Sequence, residues 1–150
     1  ERGKAVHRLC EYHDYGQEVD VPWELSGYLD AWIAFLAGTG CEVELIEHRL
    51  YHEAMGYAGT LDRLLRHPKG KRVLGDIKAT YDHVPTVGPQ TAAYEWLWNS
   101  NNEDDHIDER WSIRLMKDGK FDLVPLKERS DFSIFTSALN ISNWRAKHYG

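Results

Sequence analysis

Cysteine is scarce in this chain and long apolar runs are missing from it. Among 150 residues only Cys10 and Cys41 are cysteine. That is too few for the disulfide framework of a small secreted domain, and too few for an iron–sulfur cluster, which takes four thiolates. Both are expected as buried free thiols in a reducing cytoplasm. No apolar stretch approaches the ~20 residues that span a bilayer, and no signal-peptide core stands at the start. The chain opens at Glu1 rather than Met, as a trimmed or processed form would. Positive charge is also in deficit: 18 Lys and Arg against 24 Asp and Glu give −6. That balance at first argues against a nucleic-acid partner. Five of the carboxylates, however, fall between Glu103 and Glu109, and setting their −5 aside leaves −1 for the rest of the chain. Basic residues at Arg63, Arg66, Lys69, Lys71 and Arg72, and again at Arg145 and Lys147, are available to phosphates or to solvent. Charge alone therefore neither supports nor excludes nucleic acid.

What is present is enough for one domain over residues 1–150, with six Trp and eight Tyr as bulky core material. Residues 4–13 read as a helix with Val6, Leu9 and Cys10 on one stripe. A second helix is expected from a Ser26 cap to Leu36, its buried stripe formed by Leu29, Trp32, Ile33 and Leu36, with Gly38 and Gly40 ending it. The period then changes. Glu42 to Tyr51, Tyr57 to Arg66 and Arg72 to Lys78 read as strands, the first two as a hairpin around Gly56. Tyr81 to Pro89 reads as a loop, with Thr80 to Pro89 expected to move on substrate binding, and a helix follows from Gln90 to about Trp98. Asp118-Gly119 marks a hairpin between Trp111–Met116 and Phe121–Leu126, and a last helix starts at Ser130 or Asp131 and runs to about Arg145. This order predicts an α/β fold, a central mixed β-sheet flanked by helices.

Chemistry concentrates between Gly59 and Tyr94. Alternation along the third strand puts Asp76 and Lys78 on one face, opposite Val73, Gly75 and Ile77. A carboxylate there can hold a hard divalent cation, and an adjacent ammonium can orient water or steady charge developing on a phosphorane. An ion pair on a sheet face is the plainer alternative. Asp62 follows Gly59 on the neighbouring strand, so two carboxylates converge with room left for water and phosphate. Gln90 and Tyr94 share a helix face, with Trp98 continuing their row, and can hydrogen-bond a phosphate or stack on a base. His7 lies one turn before Glu11 and, alone, reads as a packed or surface residue. Glu47 reads as a sheet-surface residue or a further acidic participant.

The ordered set Gly3…His7, Gly59-Thr60-Leu61-Asp62, Asp76-Ile77-Lys78 and Gln90-Thr91-Ala92-Ala93-Tyr94 resembles the RecB-type, phage-exonuclease-like branch of the PD-(D/E)XK nuclease superfamily. The match covers residues 3–94. The resemblance implies a restriction-endonuclease-like core, with His7, Asp62, Asp76 and the Ile77 carbonyl binding Mg²⁺ or Mn²⁺. It makes Lys78 the residue that positions or activates the attacking water, and has Gln90 and Tyr94 organise the site and the strand. Asp62, Asp76, Lys78, Gln90 and Tyr94 are then the catalytic set. The activity implied is metal-dependent hydrolysis of DNA by an exonuclease of recombination or repair, in the cytoplasm of a bacterium or a phage-infected host. The expected partners are end-bearing single- or double-stranded DNA, with a homo-oligomer or a recombination protein beside it. Relatives carrying an iron–sulfur cluster have a cysteine set this chain lacks, so no cluster is expected. A structure-specific or restriction-like endonuclease and a catalytically silent DNA-binding module stay open as alternatives.

Overall fold

A computed structural model describes residues 1–150 and shows an α/β architecture: a five-stranded mixed sheet with two helices on each face. In chain order the elements are α1 (Arg2–Asp14), α2 (Trp23–Thr39), β1 (Glu42–His52), β2 (Tyr57–Arg66), β3 (Arg72–Lys78), α3 (Val87–Asn101), β4 (Glu109–Leu115), β5 (Phe121–Pro125) and α4 (Asp131–Tyr149). The sheet runs β1-β2-β3-β4-β5. Every neighbouring pair is antiparallel except β3 and β4, which are parallel. Parallel strands cannot be joined by a tight turn, so the chain crosses over through α3. That crossover carries the start of α3 past the carboxyl end of β3, where Asp76 and Lys78 lie.

The strand faces follow the sequence. Val73 and Ile77 pack with Val6, Cys10, Trp32 and Phe35 beneath α1 and α2, whereas Leu74 packs with Leu64, Ala93 and Leu97 beneath α3. Cys10 and Cys41 are buried and unpaired, and burial pushes the Cys10 thiol up to about 12. No helix is long and apolar enough to cross a membrane.

Several expectations need correction. The second helix starts at Trp23, three residues before Ser26, whose hydroxyl donates to the Trp23 carbonyl at 2.9 Å instead of capping. Gly38 stays inside that helix, and Gly40, at φ 71, ends it. Its buried face is Tyr28, Ala31, Trp32 and Phe35, which leaves Ile33 exposed. The third helix begins at Val87, because Pro89 falls in the first turn, where a missing N–H costs no helical hydrogen bond. Only the segment before Val87 is loop. The last helix continues beyond Arg145 to Tyr149.

Candidate metal centre

Five side chains from α1, β1, β2 and β3 converge at the carboxyl end of β3. Ligand atoms of His7, Glu47 and Asp62 all lie within 4.8 Å of one another. The imidazole is fixed by backbone: His7 Nε2 is 2.7 Å from the Ile77 carbonyl. A carbonyl only accepts, so Nε2 carries the proton and donates. The other ring nitrogen, Nδ1, then faces Glu47 Oε1 at 3.7 Å and Asp62 Oδ2 at 3.8 Å. In this arrangement the Ile77 carbonyl orients the ring, and the Ile77 N–H donates to Asp62 Oδ2 at 2.9 Å. One residue of β3 thus positions two candidate ligands through its two backbone groups.

Asp76 completes the acidic group. Its Oδ2 is 3.1 Å from Lys78 Nζ, close enough for an ion pair, yet this buried oxygen accepts no well-formed hydrogen bond. Burial raises the Asp62 carboxyl to about 6, with the Asp76 charge adding to the rise and His7 opposing it. Burial also raises Asp76, while Lys78 pulls it back. Three carboxylates meet one imidazole, one ammonium and Arg63, whose Nη1 is 3.5 Å from Glu47 Oε1 but which is shared with Asp14, and such crowding of acidic oxygens is what a divalent cation relieves. The donor set, one imidazole nitrogen and several carboxylate oxygens, suits Mg²⁺ or Mn²⁺.

Glu47 reaches the cluster by an unusual route. It lies opposite Asp62 in the β1–β2 pairing and is the one non-glycine residue at positive φ, 46°. The left-handed region costs an ordinary residue about 1–2 kcal/mol. Here the kink coincides with the carboxylate that faces His7. The sequence carries no signal for that backbone angle, so Glu47 could only be read from it as an open alternative.

The remaining motif residues have structural reasons. A Cβ on Gly59 would overlap the Tyr94 ring, with Cδ1 only 2.7 Å away. The glycine therefore seats Tyr94 flat on β2. Gln90 Nε2 donates to the Tyr94 hydroxyl at 2.8 Å, and burial raises that phenol, with Asp62 and Asp76 contributing further. Trp98 does not join this pair: it is buried and donates to the Asp105 carbonyl at 2.7 Å. Gly3 has nothing within 4 Å of an added Cβ, so no close approach requires it.

Four of the five basic residues from Arg63 to Arg72 are held by carboxylates within the chain, Lys69 being the exception. Arg63 is fully buried, with Nε donating to Asp14 Oδ2 at 2.7 Å and Nη1 to the Asp62 carbonyl at 2.8 Å. Trp32 Nε1 donates to the other Asp14 oxygen at 2.8 Å. This pair braces β2 behind the candidate metal centre. Arg66 pairs with Glu44, Lys71 with Glu109, and Arg72 with both Glu44 and Asp105. None of these four cations is left without a carboxylate.

Volume does not mark the centre. The largest cavity, about 720 Å³, lies between α3 and the β5–α4 connection and contains none of these residues. The cluster opens instead into a cleft of about 420 Å³ lined by Gly3, Lys4, His7, Arg8, Glu11 and Glu47. A cation needs convergent ligands rather than a large cavity, so the chemistry outweighs size here. Lys4 and Arg8 at the mouth of the cleft offer positive charge to an incoming anion.

No protein-family model matches this chain, and no curated protein matches it. Among solved structures, the crystal structure of SSO0001 is similar over 95% of this chain and 77% of that one, at 16% identity and a TM-score of 0.43.

Proposed function

We propose that this protein is a metal-dependent deoxyribonuclease, an exonuclease of phage or bacterial DNA recombination or repair in the PD-(D/E)XK superfamily. The observation that carries the reading is the meeting of His7, Glu47 and Asp62 within 4.8 Å, with Asp76 and Lys78 beside them. Residues far apart in the chain, all but Glu47 of them in the motif set, come together at one strand end. His7 Nδ1, Asp62, Asp76 and Glu47 are the side chains that would hold Mg²⁺ or Mn²⁺. When bound, the ion supplies Lewis-acid polarisation of the phosphate and a lowered pKa for its water.

The chain's own residues do the rest. Asp62 is fixed by the Ile77 N–H and His7 by the Ile77 carbonyl, so both are set in place before metal arrives. Lys78, held at 3.1 Å by Asp76, presents an ammonium that can orient the nucleophilic water and hydrogen-bond a non-bridging phosphate oxygen. Tyr94, seated on Gly59 and bonded to Gln90, places a hydroxyl beside the carboxylates to receive the substrate backbone.

The test is to incubate end-labelled linear DNA and a closed circle with Mg²⁺, Mn²⁺ or EDTA, beside a Lys78→Ala control. Metal-dependent loss of the linear form alone, absent in the control, is the expected result. Cutting of the circle would turn the reading to an endonuclease. DNA binding without any cleavage would leave only a binding module.

A further inference from the structure

A second cavity, about 370 Å³ and mostly apolar, adjoins the metal centre. It is closed by the starts of β2 and α3 on one side and by the first half of α4 on the other. Tyr57 and Phe135 supply aromatic wall, their ring centroids 4.8 Å apart. The Tyr57 hydroxyl donates to the Ala93 carbonyl at 3.1 Å, so its polar tip is engaged within the fold. Gln90 and Tyr94 line both this cavity and the approach to the carboxylates. Ile134 and Ala138, one helical turn apart on α4, are exposed and also line it. Along β2, Ala58 and Asp62 are separated by about 13 Å of strand, at ~3.3 Å per residue.

The same side of α4 continues outward. Ile134, Ala138, Ile141, Arg145 and His148 recur at helical spacing, and every residue from Asn140 to Gly150 is exposed. After Asp131 no acidic side chain occurs, while Arg145 and Lys147 do. In a chain of net charge −6, this projecting half-helix is cationic. Arg145 lies about 10 Å along the helix from Ala138, at ~1.5 Å per residue.

We propose that the cavity receives an unpaired nucleobase of the substrate strand, while Arg145 and Lys147 on the outer half of α4 hold that strand's phosphates. The proposal rests on the nuclease reading above and adds a preference for single-stranded or frayed DNA. A base inside a duplex has both faces stacked, and extracting it costs a few kcal/mol. A single strand can offer its base to the Tyr57–Phe135 wall without that cost. Thr86 and Gln90 give the rim polar groups for a base edge. Cationic groups beside an aromatic wall are the usual means of holding single strands.

The test uses the Lys78→Ala protein with Mg²⁺, so that DNA is held uncleaved, and a short single-stranded oligonucleotide in which one abasic position is walked along the strand. Anisotropy should show one position at which base removal weakens binding about tenfold. That dependence should vanish when Ala138→Trp fills the cavity mouth, or when Ile134→Asp makes its lip charged. Both positions are exposed, and unchanged melting temperatures would show that the fold is kept. Arg145→Gln with Lys147→Gln should reduce the slope of log K against log salt by about 1.4. A flat abasic profile in protein that binds and, as wild type, cleaves DNA would overturn the proposal and leave the nuclease reading intact. So would an Ala138→Trp protein that changes oligomeric state but not DNA binding, which would make this face a contact between copies. Wild-type protein that neither binds nor cleaves DNA would bring down the nuclease reading first and this proposal with it.

Discussion

Two buried groups of charges pack against α3, at opposite ends of β3 and β4, and they are built differently. Near the amino end of β4, Arg110 donates to Asp131 Oδ2 at 3.2 Å, to the Gly88 carbonyl at 2.7 Å and to Thr91 Oγ1 at 3.1 Å, and pairs with Glu95 at 2.9 Å. Burial raises Glu95, but Arg110 opposes the rise. Every charge there has a partner, and the network ties α3 to β4 and α4. At the carboxyl end of β3 the ligand atoms of His7, Glu47 and Asp62 crowd together, and beside them Asp76 keeps a buried oxygen without a well-formed hydrogen bond. A fully partnered cluster holds elements together. One that leaves a buried carboxylate oxygen unpartnered holds them in a costly arrangement that a cation would complete, as functional sites often do.

The contrast is sharpened first by Lys78→Ala and Asp76→Ala. Both should lower metal-dependent cleavage by about 10³-fold or more while leaving the folded state intact, measured as rate per correctly folded molecule. Arg110→Ala should do the reverse. Leaving Glu95 and Asp131 without their cation should cost about 3 kcal/mol in urea unfolding, with the cleavage rate of folded protein little changed.

Asp62→Asn should stabilise the metal-free protein while abolishing metal binding, because it removes a poorly compensated buried charge and keeps an acceptor for the Ile77 N–H. The gain should be on the order of 2 kcal/mol near neutral pH. Its sign follows from a folded value of about 6 above the unfolded 3.8. Folded protein binds the proton more tightly, so wild-type stability relative to the variant falls as pH rises between those values. The difference should disappear below 3.8 and be fully developed above about 6. An Asp62→Asn protein less stable than wild type at pH 8 without metal would remove the contrast. The smallest effect is expected from Gly59→Ala, where Tyr94 must move: about 1–2 kcal/mol of stability, with metal affinity retained.

Much of this arrangement was legible beforehand. β2 and β3 run over Tyr57–Arg66 and Arg72–Lys78 as alternation and turn residues indicate, and that alternation places Asp76 on the α3 side. What escaped depends on long-range geometry. Arg63 looks like part of a phosphate-binding stretch until Asp14, forty-nine residues away, is found beside it. Glu47 stays open between sheet surface and acidic participant until its carboxylate is seen beside His7 and Asp62. Gly59 signals a close approach, but only the packing of α3 shows that Tyr94 is what comes close. Each miss involves a partner on another element, which local pattern does not specify.

The most direct measurement is the melting temperature of the protein at pH 7.5 as Mn²⁺ or Mg²⁺ is added, for wild type and for Asp62→Asn. A ligand that binds only the folded state stabilises by about 2.7 kcal/mol at a hundredfold excess over its dissociation constant. For a chain of this length that is a rise of several degrees or more in wild type. The account predicts that rise in wild type and none in Asp62→Asn. Equal curves with and without metal in wild type would contradict it, and the cluster would then be a structural arrangement of carboxylates alone.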